Sequence, residues 1–130
     1  MNTRILQTLS TAFFGACGIV ALFAPEVFLG AISMANVTPH WPVQILAAAF
    51  LALAMFNWMT RGFTMGGIYG RPVLMTNFTF YFVAALSTVR PVLAGWLPGP
   101  VGVLLICGIF AIAYGLLLFA RGPADASSAK

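Results

Sequence analysis

N-W-M-T-R-G-F-T-M-G-G-I-Y-G-R-P-V-L-M-T-N, the run from Asn57 to Asn77, decides how the rest of this chain is read. It holds two of the six cationic residues, Arg61 and Arg71, and a glycine-rich turn, between two long apolar runs. Cations collect beside spanning helices on the cytoplasmic side of a membrane. The stretch therefore reads as an inner-face hairpin: one helix arrives at the turn and the next leaves it.

Composition supports that reading. Of 130 residues, 62% are hydrophobic and only 6% charged, against roughly 25% charged in an ordinary soluble domain. A soluble fold of this size has too few polar groups to cover such a surface, whereas lipid solvates apolar side chains directly. The cations Arg4, Arg61, Arg71, Arg90, Arg121 and Lys130 face only Glu26 and Asp125. They are dispersed, with no basic face interleaved with aromatics, so nucleic acid is not the expected partner. The lipid bilayer is, with anionic head groups within reach of the arginines.

A spanning helix needs about 20 mostly apolar residues. Four segments qualify, at about 5–24, 43–60, 72–89 and 100–120. Pro25, Pro42, Pro72, Pro91 and Pro100 stand at their boundaries, where proline suits a helix start or follows an end. Pro98-Gly99-Pro100 separates the last two. The expected architecture is an all-α integral membrane protein: an antiparallel four-transmembrane-helix bundle forming one domain over 1–122, then a small polar tail, 123–130, without order. With the first end inside, Arg4, Arg61, Arg71, Arg121 and Lys130 lie on the inner side and only Arg90 outside, so both termini face the cytoplasm. Trp58 and Tyr69 then fall near the inner interface, Trp41 and Trp96 near the outer one. Met1 to Phe23 has some features of a signal peptide. However, polar Gln7, Thr8, Ser10 and Thr11 interrupt its early part, and apolar residues continue past Cys17, so it is expected to be retained as a helix.

Between the first two spans, Pro25-Glu26 looks like a helix start with a carboxylate opposing the dipole. Phe28, Ala31, Ile32 and Ala35 follow at helical spacing. A short helix in the outer interface, ending near Asn36, is expected. Small residues should mark close helix contacts: Thr11, Gly15 and Gly18 on the first span, Ala47 and Ala54 beside Asn57 on the second, and Gly108, Ala111 and Gly115 on the fourth. One sequence does not separate an intramolecular seam from a dimer face.

Three groupings could carry chemistry. Asn57 and Asn77 sit at similar depth on consecutive spans, where an amide–amide hydrogen bond or a polar pocket would form. Asn77, Tyr81, Ala84 and Thr88 share one face of the third span, a stripe for interhelical bonds or for a narrow path. Gly66, Gly67, Gly70 and Arg71 precede the third span, with Arg61 across the same loop. Exposed backbone N–H groups, a helix start and two guanidiniums suit a phosphate such as a lipid head group, although the lysine of a nucleotide-binding loop is missing. Outside, Glu26, His40 and Arg90 form a second polar cluster, in which Glu26 and Arg90 are natural partners.

The run N-W-M-T-R, followed by G-G-I-Y-G-R-P-V and an asparagine, resembles uncharacterised small four-helix bacterial membrane proteins, as does L-F-A-P-E after the first span. The resemblance implies that fold and a bacterial inner membrane, and no activity. The charged intramembrane signature of small multidrug exporters is not present.

The inventory narrows function further. Cys17 and Cys107 lie in apolar runs and read as buried thiols. One histidine does not complete a metal or haem site, and no cofactor is expected. There is no acidic pair for glycoside hydrolysis, no Ser-His-Asp set and no intramembrane carboxylate for proton-driven transport. The leading expectation is a non-enzymatic binding or accessory subunit that packs with itself or a larger membrane complex. An oligomeric transporter or channel along the third-span stripe, and a lipid- or quinone-handling protein or enzyme at the inner arginine–glycine loop, are the alternatives.

Overall fold

Five α-helices account for nearly all of the described chain: α1 (Thr3–Phe23), α2 (Pro25–Ala31), α3 (Trp41–Thr60), α4 (Gly70–Leu93) and α5 (Gly99–Ala120). The structure is a computed structural model, and it describes residues 3–62, 70–95 and 98–120. Among these residues there is no β-strand. Four of the helices, all but α2, are long and apolar enough to cross a membrane. The chain divides into two compact units, Met1–Gly62 and Phe63–Lys130.

In the first unit α1 and α3 pack as an antiparallel pair. Gln7 meets Thr60 near one end, the Cβ direction of Gly15 points to Ala54, and that of Gly18 to Leu51 and Ala47. The buried residues of α1 are Leu6, Gln7, Ser10, Phe14, Gly18 and Ala21. Their three- and four-residue spacing is one helix face. The small-residue face expected on the first span is thus an intramolecular seam, centred on Ser10, Phe14 and Gly18, with Thr11 and Gly15 at its margin. At the far end, Ala21, Leu29, Val43 and Ala47 make a buried cluster that Leu22, Phe28 and Ile32 flank. Phe50 lies 6.1 Å from both Phe14 and Phe28, measured between ring centroids.

The short helix after the first span forms, but it ends at Ala31 and not near Asn36. Pro25 opens it, and Ala24 accepts the N–H groups of Val27 and Phe28. Ile32 leaves the helix, and Ser33 turns left-handed at φ 64°. The Met34 N–H then reaches the Leu29 carbonyl at 2.7 Å and the Ser33 N–H reaches that of Gly30 at 3.1 Å. This is the paired closure of a Schellman motif. It accounts for the early stop, because it consumes the carbonyls that a further turn would need. In α3, Pro42 occupies the first turn, where its missing N–H costs nothing, and the His40 carbonyl accepts from Val43 and Gln44.

In the second unit α4 and α5 are also antiparallel. Phe78 meets Phe119 and closes over Gly115, while Tyr81 meets Phe110 and Tyr114. Two boundaries differ from the sequence reading. The helix begins at Gly70, so Gly70 and Arg71 are helical and not part of a turn. Pro72 is then its third residue, still within the first four, whose N–H groups have no partner inside the helix. At the other end Pro91 lies inside α4, which runs on to Leu93. A proline so close to the end forfeits one hydrogen bond and leaves little helix to disrupt. The helix closes through Gly95 at φ 83°, whose N–H reaches the Val92 carbonyl at 3.0 Å. Of the expected Pro98-Gly99-Pro100 turn, Gly99 and Pro100 are instead the first residues of α5, and the Pro98 carbonyl accepts from the Gly102 N–H.

Candidate functional site

The Arg61 end of the α1–α3 pair gathers the most unusual chemistry. Gln7, Ser10, Asn57 and Thr60 are all buried there, in a chain with few polar groups. Asn57 Nδ2 donates to the Leu53 carbonyl at 2.9 Å and Thr60 Oγ1 to that of Phe56 at 2.8 Å, each one turn back along α3. Gln7 Nε2 crosses the seam to Thr60 Oγ1 at 3.3 Å. Its Oε1 is buried without a hydrogen-bond partner. Unsatisfied buried oxygens are costly, about 1–3 kcal/mol, so this amide marks a place where packing alone is not optimised.

Next to that seam lies an open groove of about 710 Å³, lined by Arg4, Thr8, Trp58, Met59, Arg61 and Gly62. Antiparallel pairing creates it, since the first turns of α1 and the last turn of α3 end side by side. Arg4 and Thr8 are one turn apart, and Thr8 Oγ1 donates to the Arg4 carbonyl at 2.8 Å. Arg61 follows the last residue of α3. Its guanidinium carbon stands 3.3 Å from the centroid of the Trp58 ring. That cation–π contact, between residues three apart, restrains a long side chain. Among the described residues the lining contains two cations, Arg4 and Arg61, and no carboxylate.

The other expected residues distribute as follows. Arg61 is in the groove; Arg71 is exposed in the first turn of α4, in the other unit. Gly70 is buried as the first residue of α4, and Gly67 lies outside the described residues, as do Gly66 and Tyr69. Asn77 is fully buried and donates to the Val73 carbonyl at 2.9 Å. Each asparagine thus donates one bond to a carbonyl one turn back along its own helix. Tyr81 is fully buried, stacked on Phe110 at 4.6 Å and beside Tyr114 at 5.8 Å. Thr88 donates to the Ala84 and Ala85 carbonyls. The inward stripe of α4 is real as a face, and aromatic rings pack against its centre. Of the outer cluster, Glu26 is exposed in the first turn of α2, His40 precedes α3, and Arg90 is exposed in the last turn of α4. Among the described residues no group of three or more His, Cys, Asp or Glu side chains is placed to hold a metal ion.

The groove residues Arg4 and Thr8, and the buried Gln7 and Ser10, were not anticipated as site residues. A signal existed: Gln7, Ser10, Phe14, Gly18 and Ala21 recur at one helical face. Read as mere interruptions of a hydrophobic run, the two polar residues conceal that face. Comparison with protein-family models, with curated proteins and with solved structures finds no match.

Proposed function

We propose that this chain is a small polytopic membrane protein of a bacterial inner membrane, both termini cytoplasmic, acting as a non-enzymatic binding or accessory subunit. It packs with itself or with a larger membrane complex. The observation that supports this is the state of α5. Leu105, Ile109, Ile112 and Leu116 remain 61–67% exposed, and a Cβ built on Gly102 or Gly108 would meet nothing within 4 Å. Lipid alone satisfies exposed leucine and isoleucine. Glycines open within a span are different: they permit a second helix to approach closely, which is how membrane helices associate without a hydrophobic driving force.

The test is hydrodynamic. In a mild detergent, light scattering coupled to size exclusion should give a defined homo-oligomer or a stoichiometric co-purifying protein, and Gly108→Ile should disperse it. A monodisperse monomer that carries no other protein would sink the proposal.

A further inference from the structure

The groove at the Arg61 end belongs to the α1–α3 pair, not to α5, and is lined by cations and apolar side chains. We infer that it is a binding site for the phosphodiester of an anionic membrane lipid, held between Arg4 and Arg61. The inference rests on the membrane-spanning part of the proposed function, because it places the end of α3 at head-group depth.

Four features converge. First, Arg4 of α1 and Arg61, just past the end of α3, line the same groove. A phosphodiester offers two unesterified oxygens, and guanidinium is the side chain whose donor geometry matches them. Second, Arg61 is held against Trp58, so less rotamer freedom remains to be lost when an anion arrives. Third, the helix ends are oriented to favour one side of the groove. The end of α3 exposes carbonyls and is the negative pole of its dipole, while the start of α1 offers N–H groups and the positive pole. An anion is therefore drawn toward Arg4 and Thr8, and Arg61 offsets the α3 carbonyls. Fourth, the lining is amphiphilic. Trp58 is 47% and Met59 71% exposed, giving apolar surface beside the cations for the glycerol and upper acyl carbons. A free phosphate would use the cations alone. A lipid uses both surfaces, and about 710 Å³ accommodates a head group with its glycerol.

Trp58 provides the readout. The chain carrying Trp41→Phe and Trp96→Phe keeps one tryptophan, in the groove. It is reconstituted in phosphatidylcholine vesicles with increasing fractions of either brominated phosphatidylglycerol or brominated phosphatidylcholine, and quenching is compared. Each arginine near an anionic head group is worth about fivefold in local preference, from roughly 1 kcal/mol per cation. Brominated phosphatidylglycerol should therefore quench at a clearly lower fraction. Arg4→Gln and Arg61→Gln should each remove about fivefold of that preference, and Arg71→Gln should remove none.

Equal quenching by the two lipids in the single-tryptophan chain overturns the site, whatever the arginine variants do. Equal losses from Arg71→Gln and Arg4→Gln overturn it as well, because the preference would then be diffuse surface charge. Inorganic phosphate added at constant ionic strength separates the two sources: an unchanged preference supports the lipid, and its abolition makes the occupant a soluble anion and overturns the lipid assignment. Absence of quenching by either lipid overturns the membrane-spanning reading beneath, and is distinguishable from failure of the site alone.

Discussion

Gly18→Ala is the substitution whose effect follows most directly from the geometry of the α1–α3 seam. A Cβ at residue 18 would stand 2.8 Å from Leu51 Cγ, 2.9 Å from Leu51 Cδ2 and 3.2 Å from the Ala47 carbonyl oxygen. Carbon atoms in contact prefer about 3.5–4.0 Å. Relief requires a shift of roughly 0.5–1 Å between the helices, or a new Leu51 rotamer, and such a gap forfeits a quarter to a half of each neighbouring contact. Leu51 is only one constraint. The Ala47 oxygen is backbone, and it moves only with α3. Overpacking of this kind costs about 1–3 kcal/mol. The intrinsic helix preference of alanine over glycine, near 1 kcal/mol in water, does little to offset it, because spanning segments remain helical when the tertiary structure is lost.

Gly15→Ala is the matched control, since its nearest neighbour would be Ala54 Cβ at an ordinary 3.9 Å. The assay is unfolding by sodium dodecyl sulfate from dodecyl maltoside micelles, followed by the fluorescence of Trp41 and Trp58 on α3. Gly18→Ala should lower the midpoint by an amount equivalent to about 1–3 kcal/mol, and Gly15→Ala should stay within about 0.5 kcal/mol of the parent. Adding Leu51→Ala to Gly18→Ala should recover part of the loss, with a coupling of about 1 kcal/mol, and the Ala47 oxygen should prevent full recovery. Midpoints that do not distinguish the two glycine variants would refute this account of the seam.

Two further outcomes follow from the buried polar and aromatic groups. Gln7→Leu removes an amide whose oxygen has no hydrogen-bond partner, and Thr60 keeps its bond to Phe56; the same titration should show unchanged or slightly raised stability. Thr60→Val deprives the Gln7 amide of its cross-helix partner and should cost about 1–3 kcal/mol. In the second unit Tyr81→Ala removes the ring stacked on Phe110 and Tyr114 and should cost about 3–5 kcal/mol, read as lost near-ultraviolet circular dichroism before any loss of helix; a neutral result would mean that those rings collapse onto one another without strain.

Much of this was legible in residue order. Asn77 and Tyr81 were placed on one face by their spacing, and both are fully buried. Gly15 and Gly18 were assigned to close contacts, and both face α3. The helix ends were less legible. Proline at residue 91 reads as a boundary, yet one more half-turn forms after it, since a helix close to its end loses little by one missing bond. Asn36 reads as a stop, yet Ser33 stops α2 earlier by entering the left-handed region, which a serine does not announce. The groove was the least legible. Arg4 and Arg61 are far apart in sequence, and the α2 segment between their helices makes the register uncountable from loop length.

Residue order alone determined that the described chain is helical and that four of its helices are apolar enough to cross a bilayer. Those properties are local: they depend on runs of apolar side chains and on where proline and glycine interrupt them. Which glycine is sealed and which is open, and that Arg4 shares a groove with Arg61, was decided by tertiary structure. Pairing between helices depends on register and rotation, and these are set by the sum of many small contacts along a seam.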